Sequence, residues 1–245
     1  TLEDIKKVIL DDMISYYQTS FFNQDIKIVV NGHIDESVDA SIANLGVKSN
    51  DLNLSPIFEF RDSHQLIKNY EKTQMNQAIL KLGYIIPVYR FDPLYETVLC
   101  LDTILGGYPE SRLFSEIREN QSLCYDISSN YDYYKGTIVI SSGVAKHQKD
   151  YALEEIFKVS KSFDHIPVTD EELTHAKAYL SHQIKSSLDH QSYITKRSFF
   201  RSILGDQTTT EQRLKNIMNV SLEDIKKVTS MMTLDTIYVL YGGES

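Results

Sequence analysis

The stretch from Leu99 to Gly143 reads LCLDTILGGYPESRLFSEIRENQSLCYDISSNYDYYKGTIVISSG and decides the fold of this chain. Its apolar residues recur at helical spacing up to a Gly-Gly pair and again over residues 109–119, which predicts two helices with a break between them. Residues 123–133 and 137–142 are typical of strands, and Lys135-Gly136 between them favours a tight turn. The stretch therefore predicts helix, helix and β-hairpin in succession.

Elements of both kinds flank this stretch. The patterns before it predict helices at Thr1–Tyr17, Asp35–Leu45 and Pro93–Leu105, and strands at Asp25–Val30, Ile57–Phe60 and Gln74–Tyr84. The patterns after it predict helices near 150–163, from Thr169 onward, and near 193–204, 210–218 and 221–232, with a last strand at 236–241. Together they predict an α+β fold in which helices pack on one face of a mixed, mainly antiparallel sheet.

The composition excludes several classes of function. The chain has 245 residues, a hydrophobic fraction of 42% and a formal net charge of −9. The negative charge argues against nucleic acid or an anionic membrane as a partner, and no apolar stretch is long enough to span a bilayer. Cys100 and Cys124 are the only cysteines and suggest neither a disulfide framework nor a metal site, which favours a reducing cytoplasm. We therefore expect a cytoplasmic protein with no nucleic-acid or membrane partner.

An internal repeat suggests how the chain is divided. Residues 1–8 read TLEDIKKV and residues 221–228 read SLEDIKKV, so seven of eight positions agree. Each copy is followed by a predicted strand that ends in glycine. A chance recurrence of a helix-capping phrase is the alternative, but a repeat distance of 220 residues is typical of a duplicated domain. We expect residues 1–50 to be the tail of an upstream sister domain plus a linker, and residues 51–245 to be one complete domain.

Two motifs carry a resemblance to a known family. L-D-x-I-L-G-G at 101–107, followed by S-R-L-F-x-x-I-R-E-x-x-S-L-C-Y at 111–125, resembles the C-terminal half of insulinase-type (pitrilysin) zinc metallopeptidases. The helix start at Thr169 and the repeated LEDIKKV extend the resemblance more loosely. The resemblance implies a clam shell of two duplicated α+β halves, of which the first carries the zinc and the second closes over the peptide substrate.

The zinc signature of that family, an inverted H-x-x-E-H, does not occur among the seven histidines of this chain. His175 and His182 could share a helix face with Glu171 or Glu172 one turn earlier, either as a metal site or as a solvated face. A zinc site needs three or four convergent ligands, so the solvated face is favoured. We expect no metal in this chain, zinc in the upstream half of an active parent, and no peptidase activity of this chain alone.

Arg118 and Tyr125 are the candidate substrate-binding residues. The resemblance implies that an arginine and a tyrosine at this spacing reach towards the zinc cleft and hold a substrate carbonyl oxygen. A guanidinium and a phenol are donors suited to an oxygen on which negative charge develops. The alternatives are a surface ion pair of Arg118 with Glu116 or Glu119, and a strand aromatic at Tyr125.

The remaining signals are weaker. The chain contains 16 tyrosines and no tryptophan, and those at 125, 131, 133 and 134 could line a peptide groove or pack on a half-exposed sheet. Gly106-Gly107 does not match a phosphate-binding loop and is interpreted as a helix break that orients the helix after it. No histidine and aspartate accompany the serines in a way that would support a serine nucleophile.

The leading hypothesis is the zinc-free half of an insulinase-type peptidase, which closes over and positions a peptide substrate. The alternative is a non-catalytic family member that acts as a scaffold or as the partner subunit of an active paralogue, and a free peptide-binding module is a third possibility. The expected partners are a peptide and an upstream zinc-bearing half or a paralogous subunit. A docking surface bared by the lack of that half would also allow a homodimer.

Overall fold

The computed structural model describes residues 1–21, 26–46 and 65–242, so the predicted linker at 48–56 and strand at 57–60 lie outside the described residues. The described α-helices are α1 (Leu2–Lys7), α2 (Leu10–Tyr16), α3 (Glu36–Asn44), α4 (Tyr95–Asp102), α5 (Lys149–Ser162), α6 (Asp170–Ser187), α7 (Gln191–Leu204), α8 (Thr210–Asn219) and α9 (Leu222–Met231). The strands are β1 (Ile67–Thr73), β2 (Gln77–Ile85), β3 (Cys124–Asp132), β4 (Thr137–Ala145) and β5 (Thr233–Gly242). Tyr17–Phe21, Thr103–Gly107 and Phe114–Asn120 are π-helical.

The five strands form one sheet in the order β1-β5-β2-β4-β3. The β1–β5 pair is parallel and the other three pairs are antiparallel. The last strand of the chain therefore lies inside the sheet, between β1 and β2. This arrangement confirms the predicted mixed, mainly antiparallel sheet.

One face of the sheet carries the hydrophobic core. Leu80 and Leu82 of β2 and Ile138 and Ile140 of β4 are fully buried, whereas the residues between them are at least partly exposed. The buried side chains of α4, α5 and α9 belong to the same cluster as these strand residues. Period-two burial on the strands and helical packing on one side confirm the predicted α+β fold.

The chain divides into two compact units. One comprises the described parts of Thr1–Pro56 together with Ser186–Gln207, and the other comprises those of Ile57–Lys185 and Thr208–Ser245. The second unit contains the sheet and the whole hydrophobic cluster. No described side chain between residues 1 and 46 is buried. The predicted domain boundary at residue 50 stays a prediction.

The N-terminal segment departs from the predicted elements in two places. The single helix predicted over residues 1–17 is two helices, because Val8 adopts an extended conformation and ends α1. The strand predicted at 25–30 is not formed over its described residues 26–30. A strand depends on backbone hydrogen bonds to a neighbour, and the described residues provide no neighbour for this segment.

Strand β1 was missed by the sequence patterns. Its sequence, IKNYEKT, is mostly polar and every residue of it is exposed, so it shows no alternation of apolar side chains. It forms because β5 offers it backbone partners, from Ile67 opposite Thr236 to Thr73 opposite Gly242. Backbone pairing with β5 therefore forms this strand, and burial of its own side chains does not.

Gly106 brings the end of a helix against the sheet. It lies in the π-helical turn Thr103–Gly107, where the sequence predicted a helix break. A Cβ atom added to Gly106 would lie 2.6 Å from the backbone nitrogen of Ser129 and 2.9 Å from Cδ1 of Leu113. Only glycine therefore allows this turn to approach the backbone of β3 so closely.

Replacing Gly106 by alanine tests this close approach. We expect Gly106→Ala to lower the free energy of unfolding by about 2–3 kcal/mol, because the methyl group must displace backbone. Chemical denaturation of the chain measures the difference. Gly107→Ala is the matched control, since its added Cβ would meet the Asp102 carbonyl oxygen at 3.1 Å and should cost less than about 1 kcal/mol. Equal effects of the two variants would contradict the interpretation.

Candidate functional site

A helix-to-strand junction carries both predicted site residues. The π-helix Phe114–Asn120 leads into β3 through Ser122, which has a φ of 53° in the left-handed region. Leu113 and Ile117 anchor the helix because both are fully buried. The junction is therefore a turn of fixed geometry between two packed elements, and it presents its polar side chains to solvent.

Arg118 is exposed and lies over an aromatic ring. Its guanidinium carbon is 4.6 Å from the centre of the Phe114 ring, one turn earlier in the same helix. Neither Glu116 nor Glu119 forms an ion pair with it in the described part of the chain, and Glu116 accepts a hydrogen bond from Asn120 instead. The surface ion pair considered as the alternative is thus absent there, and the guanidinium keeps its donors for another partner.

Tyr125 projects from a bulge in the edge strand. The register between β3 and β4 shifts between Cys124 and Asp126, so Tyr125 has no partner residue opposite it. Its side chain is 86% exposed, the highest fraction among the exposed large hydrophobic side chains of the described residues. Bulges redirect a side chain in this way and occur frequently beside functional sites.

Cys124, at the start of β3, is a buried thiol between the two predicted site residues in sequence. Burial raises the pKa of the Cys124 thiol, and the charge of Arg118 partly offsets that rise. Arg118 and Tyr125 thus lie on the two sides of the Ser122 turn, at one helix-to-strand junction. Their role in binding substrate stays a prediction.

The other tyrosines near the hairpin serve packing. The hydroxyl of Tyr131 donates to the carbonyl oxygen of Val88 at 2.5 Å inside the core. The Tyr133 ring stands edge-on to the Tyr95 ring, with their centres 5.5 Å apart. The guanidinium carbon of Arg90 lies over the Tyr95 ring, 4.4 Å from its centre. The packing interpretation therefore applies to Tyr131 and Tyr133, whereas Tyr125 alone of this group is highly exposed.

Asp102 protects the outer edge of β3. Its carboxylate accepts a hydrogen bond from the backbone N–H of Tyr131 at 3.2 Å, and its carbonyl oxygen accepts one from the Ser129 hydroxyl at 3.0 Å. With Gly106 packed on Ser129, these contacts cover the backbone groups that an added strand would need. Sequence reasoning missed Asp102, although an acidic residue between apolar neighbours in a core helix was a signal.

The Asp102 carboxylate is held in an unfavourable environment. One of its oxygens, Oδ1, is buried and has no hydrogen-bond partner among the residues that the structure describes. Burial raises the pKa of Asp102 to about 6, even though the hydrogen bond from the backbone N–H of Tyr131 acts in the opposite direction. The folded chain therefore binds a proton at this position more tightly than the unfolded chain does.

This shift predicts how stability depends on pH. Because the folded-state pKa is raised, the contribution of Asp102 is most favourable below pH 4 and is lost as the pH rises through about 6. The rise from 3.8 to about 6 corresponds to about 3 kcal/mol at pH 7. We expect Asp102→Asn to raise the free energy of unfolding at pH 7 and to flatten its decline between pH 4 and 7.

Urea denaturation at a series of pH values measures the Asp102 effect. Asp126→Asn is the control, since that carboxylate is on β3, the strand that Asp102 contacts, but is exposed. If the free energy of unfolding of Asp102→Asn declined with pH as steeply as that of the unmodified chain, the decline would not be due to Asp102.

Arg112 ties the junction helix to α6, a role that sequence reasoning did not assign. Its guanidinium donates to both carboxylate oxygens of Glu172, at 2.6 and 3.0 Å, and to the carbonyl oxygens of Ile166 and Pro167, each at 3.1 Å. It also lies 4.3 Å from the centre of the Phe163 ring. Such a paired, planar contact fixes geometry as well as adding stability.

Glu172 responds to this contact. Burial alone would raise its pKa, but Arg112 and the backbone N–H of Thr169 more than offset that effect, and the pKa lies below its ordinary value. The Thr169 hydroxyl accepts from the Glu172 N–H at 3.1 Å, which completes the predicted capping box of α6. One carboxylate thus caps α6 and holds the junction helix.

Removing the Arg112 side chain tests how much its contacts stabilise the fold. We expect Arg112→Ala to lower the free energy of unfolding by about 3 kcal/mol, because Glu172 is left partly buried without its charged partner. The control is Lys158→Ala, which removes two surface ion pairs with Glu154 and Glu155 and should cost less than about 1 kcal/mol. Similar losses in the two variants, measured by denaturation, would show that the Arg112 contact is no stronger than a surface pair.

The histidines do not form a metal centre in the described residues. His175 is about half exposed, and its Nδ1 lies 3.3 Å from a carboxylate oxygen of Glu110. Across ranges 1–21, 26–46 and 65–242, no group of three or more histidine, cysteine, aspartate or glutamate side chains could hold a metal ion. These ranges therefore supply no ligand set that fits zinc. No helix in the same ranges is long and apolar enough to cross a bilayer.

A small polar pocket lies beside the start of α4. It has a volume of about 190 Å³, and its lining includes Glu96, Asn216 and Asp224. Burial raises the pKa of Glu96 despite a hydrogen bond with Asn216, while Asp224 caps α9 through Ser221. The polar groups of the pocket are thus engaged in linking α4 to α8 and in capping α9.

These features define the class of protein. It has an α+β fold with an exposed arginine and tyrosine at one junction and with no zinc ligand set among the described residues. A family model described as "Peptidase M16 inactive domain" matches residues 7–180. The chain belongs to this family, which confirms the predicted membership in the insulinase or pitrilysin type as its non-zinc, C-terminal half.

Curated relatives agree with this family. The "Probable inactive metalloprotease YmfF" of Bacillus subtilis (strain 168) is 23% identical over 99% of this chain and 58% of its own length. The "Uncharacterized zinc protease YmxG" of the same organism is 26% identical over 63% of this chain and 38% of its own length. The chain therefore spans little more than half of the first relative and less of the second.

Solved structures share the fold. A conserved protein from Enterococcus faecalis V583 superposes with a TM-score of 0.88 at 21% identity, covering 100% of this chain and 58% of that chain. A peptidase M16 inactive domain from Pseudomonas fluorescens gives a TM-score of 0.72 at 18% identity, with 99% and 60% covered. At these identities the similarity establishes the fold alone.

Proposed function

We propose that this chain is the zinc-free, substrate-side half of an insulinase-type peptidase, which closes over a peptide and positions it. The observation that carries this proposal is the exposed pair at the junction. Arg118 and Tyr125 are both solvent-exposed, and neither has a hydrogen-bond or ion-pair partner in the described part of the chain. Two unengaged donors on packed elements are what a site for a carbonyl oxygen requires.

The proposed role follows from the chemistry of the two groups. The guanidinium of Arg118 and the phenol of Tyr125 donate hydrogen bonds to a main-chain oxygen of the peptide. Leu113 and Ile117 anchor the helix that carries Arg118, and the bulge in β3 sets the backbone from which Tyr125 projects. Zinc held by a partner half supplies activation of water, and this chain contributes binding and orientation.

The proposed partner is a zinc-bearing half, either in the same polypeptide or as a paralogous subunit. Two observations support it: the chain spans 58% of YmfF, and YmxG is named a zinc protease. A cytoplasmic location and homodimer formation stay predictions. Peptide turnover is expected only when the zinc-bearing half is present.

A second candidate function is that of a non-catalytic scaffold or partner subunit. It is supported by YmfF, whose name describes a probable inactive metalloprotease and which matches 99% of this chain. The two functions differ in metal content. Elemental analysis of the protein purified from its natural source should find about one zinc per assembly in the first case and none in the second.

Substitution of the two donors tests the leading proposal. In the assembled peptidase, we expect Arg118→Ala and Tyr125→Phe each to lower kcat/KM for a peptide about 10²-fold, because each removes one donor to the substrate oxygen. With zinc removed by a chelator, fluorescence anisotropy should show weaker binding of the same peptide to both variants.

Tyr70→Phe is the matched control for the phenol. Tyr70 is an exposed strand tyrosine as well, but it lies on β1, at the opposite end of the strand order from β3. Peptide turnover and peptide binding by the assembly that carries Tyr70→Phe should equal those of the unmodified assembly. Unchanged turnover and binding in both Arg118→Ala and Tyr125→Phe would reject the role of the junction, and a metal-free, folded assembly would favour the scaffold.

A further inference from the structure

The face of the sheet opposite the hydrophobic core is open in the described part of the chain. In β2 the residues that alternate with the buried Leu80 and Leu82 are Ile79, Lys81 and Gly83, and each of them is at least partly exposed. The buried side chains of the described helices belong to the cluster on the other face. The side of the sheet that carries Lys81 is called the open face below.

One row of residues crosses all five strands on the open face. Lys81 of β2 lies opposite Tyr238 of β5 on one side and opposite Ser141 of β4 on the other. Asn69 of β1 continues the row beyond Tyr238, and Ser128 of β3 continues it beyond Ser141. Lys81 is therefore the centre of the row, and the Cβ atoms of directly opposite residues are about 5 Å apart.

Lys81 is the only lysine or arginine that the described strands place on the open face. The other basic residues in these strands are Lys68 and Lys72 of β1, which alternate with Asn69 and Glu71 and project from the opposite side. The Lys81 side chain is exposed, and its ammonium has no ion pair or hydrogen bond among the residues that the structure describes. The centre of the open face thus offers an unpaired cation.

The side chains beside Lys81 are neutral, and two of them are donors. The Ser141 and Ser128 hydroxyls lie in the same row and have no hydrogen-bond partner within the described ranges. The diagonal neighbours of Lys81 on β4 are Val139 and Gly143, which leave room above the serines. An ammonium and a hydroxyl in adjacent positions form a site for a carboxylate.

The acidic residues of the described strands lie away from this site. They are Glu71, Asp126, Asp132 and Asp235. None of them is opposite or diagonal to Lys81, and each is two strands or about three residues away, which corresponds to about 10 Å. An acidic group of a ligand therefore meets a cation at the centre of the open face and like charges around it, so its position is specified.

The open face extends to the proposed binding residue Tyr125. The bulge inserts Tyr125 beside Asp126, and both are exposed, whereas Cys124 and Ile127 on either side are buried. Tyr125 therefore projects from the same face as Lys81. Two strand spacings and two residues along the strands separate the two positions, which is about 12 Å, or the span of about three to four residues of extended peptide.

We infer that the open face binds a peptide with an acidic side chain, whose carboxylate pairs with Lys81 and accepts a hydrogen bond from the Ser141 hydroxyl. Lys81 is then a specificity-determining residue, at a distance of a few peptide residues from Tyr125. The inference rests on the proposed function for the peptide itself and adds the class of peptide that is selected.

Charge complementarity selects this occupant of the open face. A neutral or basic segment that covered the row would remove the Lys81 ammonium from water without giving it a partner, which is costly. A carboxylate supplies that partner, and the two serine hydroxyls satisfy its remaining lone pairs.

Two pools of labelled peptides test the inference. Both pools have randomised neutral sequences, and they differ in one central residue, which is glutamate in the first and glutamine in the second. In the assembled peptidase with zinc removed by a chelator, fluorescence anisotropy should show about fivefold tighter binding of the glutamate pool. The preference should decrease as salt is added, because the ion pair is partly exposed.

Variants of one lysine identify the site. Lys81→Gln should abolish the preference for glutamate, and Lys81→Glu should reverse it in favour of a pool with a central lysine. Lys72→Gln is the matched control, since Lys72 is also an exposed strand lysine but projects from the other side of the sheet. The control should retain the full preference.

Three outcomes would overturn the inference. They are equal binding of the two pools by the unmodified assembly, a preference that survives Lys81→Gln, and an equal loss of preference in Lys72→Gln, which would assign the effect to net charge.

The proposed function is read separately, through Arg118→Ala. If Arg118→Ala leaves the binding of both pools unchanged while Lys81→Gln abolishes the preference, the role of the junction is rejected and the Lys81 site stands. If Arg118→Ala weakens both pools and the unmodified assembly shows no preference, the role of the junction stands and the Lys81 site is rejected.

Discussion

The sheet of this protein depends on the pairing of its last strand with neighbours on both sides. β5 joins β1 in parallel and β2 in antiparallel register, so the sheet is incomplete until the end of the chain is in place. The mostly polar β1 exists as a strand only through this pairing. The apolar residues 26–30 show the converse, since without a neighbour among the described residues they form no strand. Backbone hydrogen bonds between segments distant in sequence thus override local propensity at both places.

A second set of contacts fixes the junction that carries the candidate site. Gly106 allows a helical turn to lie on the backbone of Ser129, and the carboxylate of Asp102 receives the N–H of Tyr131 at the edge of the sheet. Arg112 holds the helix of Arg118 against Glu172 at the start of α6. The exposed donors therefore stand on a rigid support, although one member of that support, Asp102, is held at an electrostatic cost.

Much of the fold was predictable because it depends on patterns of residues that are close together in the sequence. The apolar periodicity identified α4 through α9 and the β3–β4 hairpin, and the capping box at Thr169 marked the start of α6. The motif between 101 and 125 identified the family, and it located Arg118 and Tyr125 in one junction. The supporting roles of Asp102 and Arg112 were not predictable in the same way, because their partners are 29 and 60 residues distant in sequence.

The sequence by itself determined the class of fold, the family, the helix caps and the repeated LEDIKKV phrase, because each depends on residues close together in the chain. Only the tertiary structure decided whether a given phrase is buried. α1 and the first turns of α9 share the sequence LEDIKK and the same kind of cap, yet Ile225 is buried and Ile5 is exposed. The physical reason is that burial depends on the area removed from water by a neighbour, and a helix cannot encode in its own residues whether that neighbour is present.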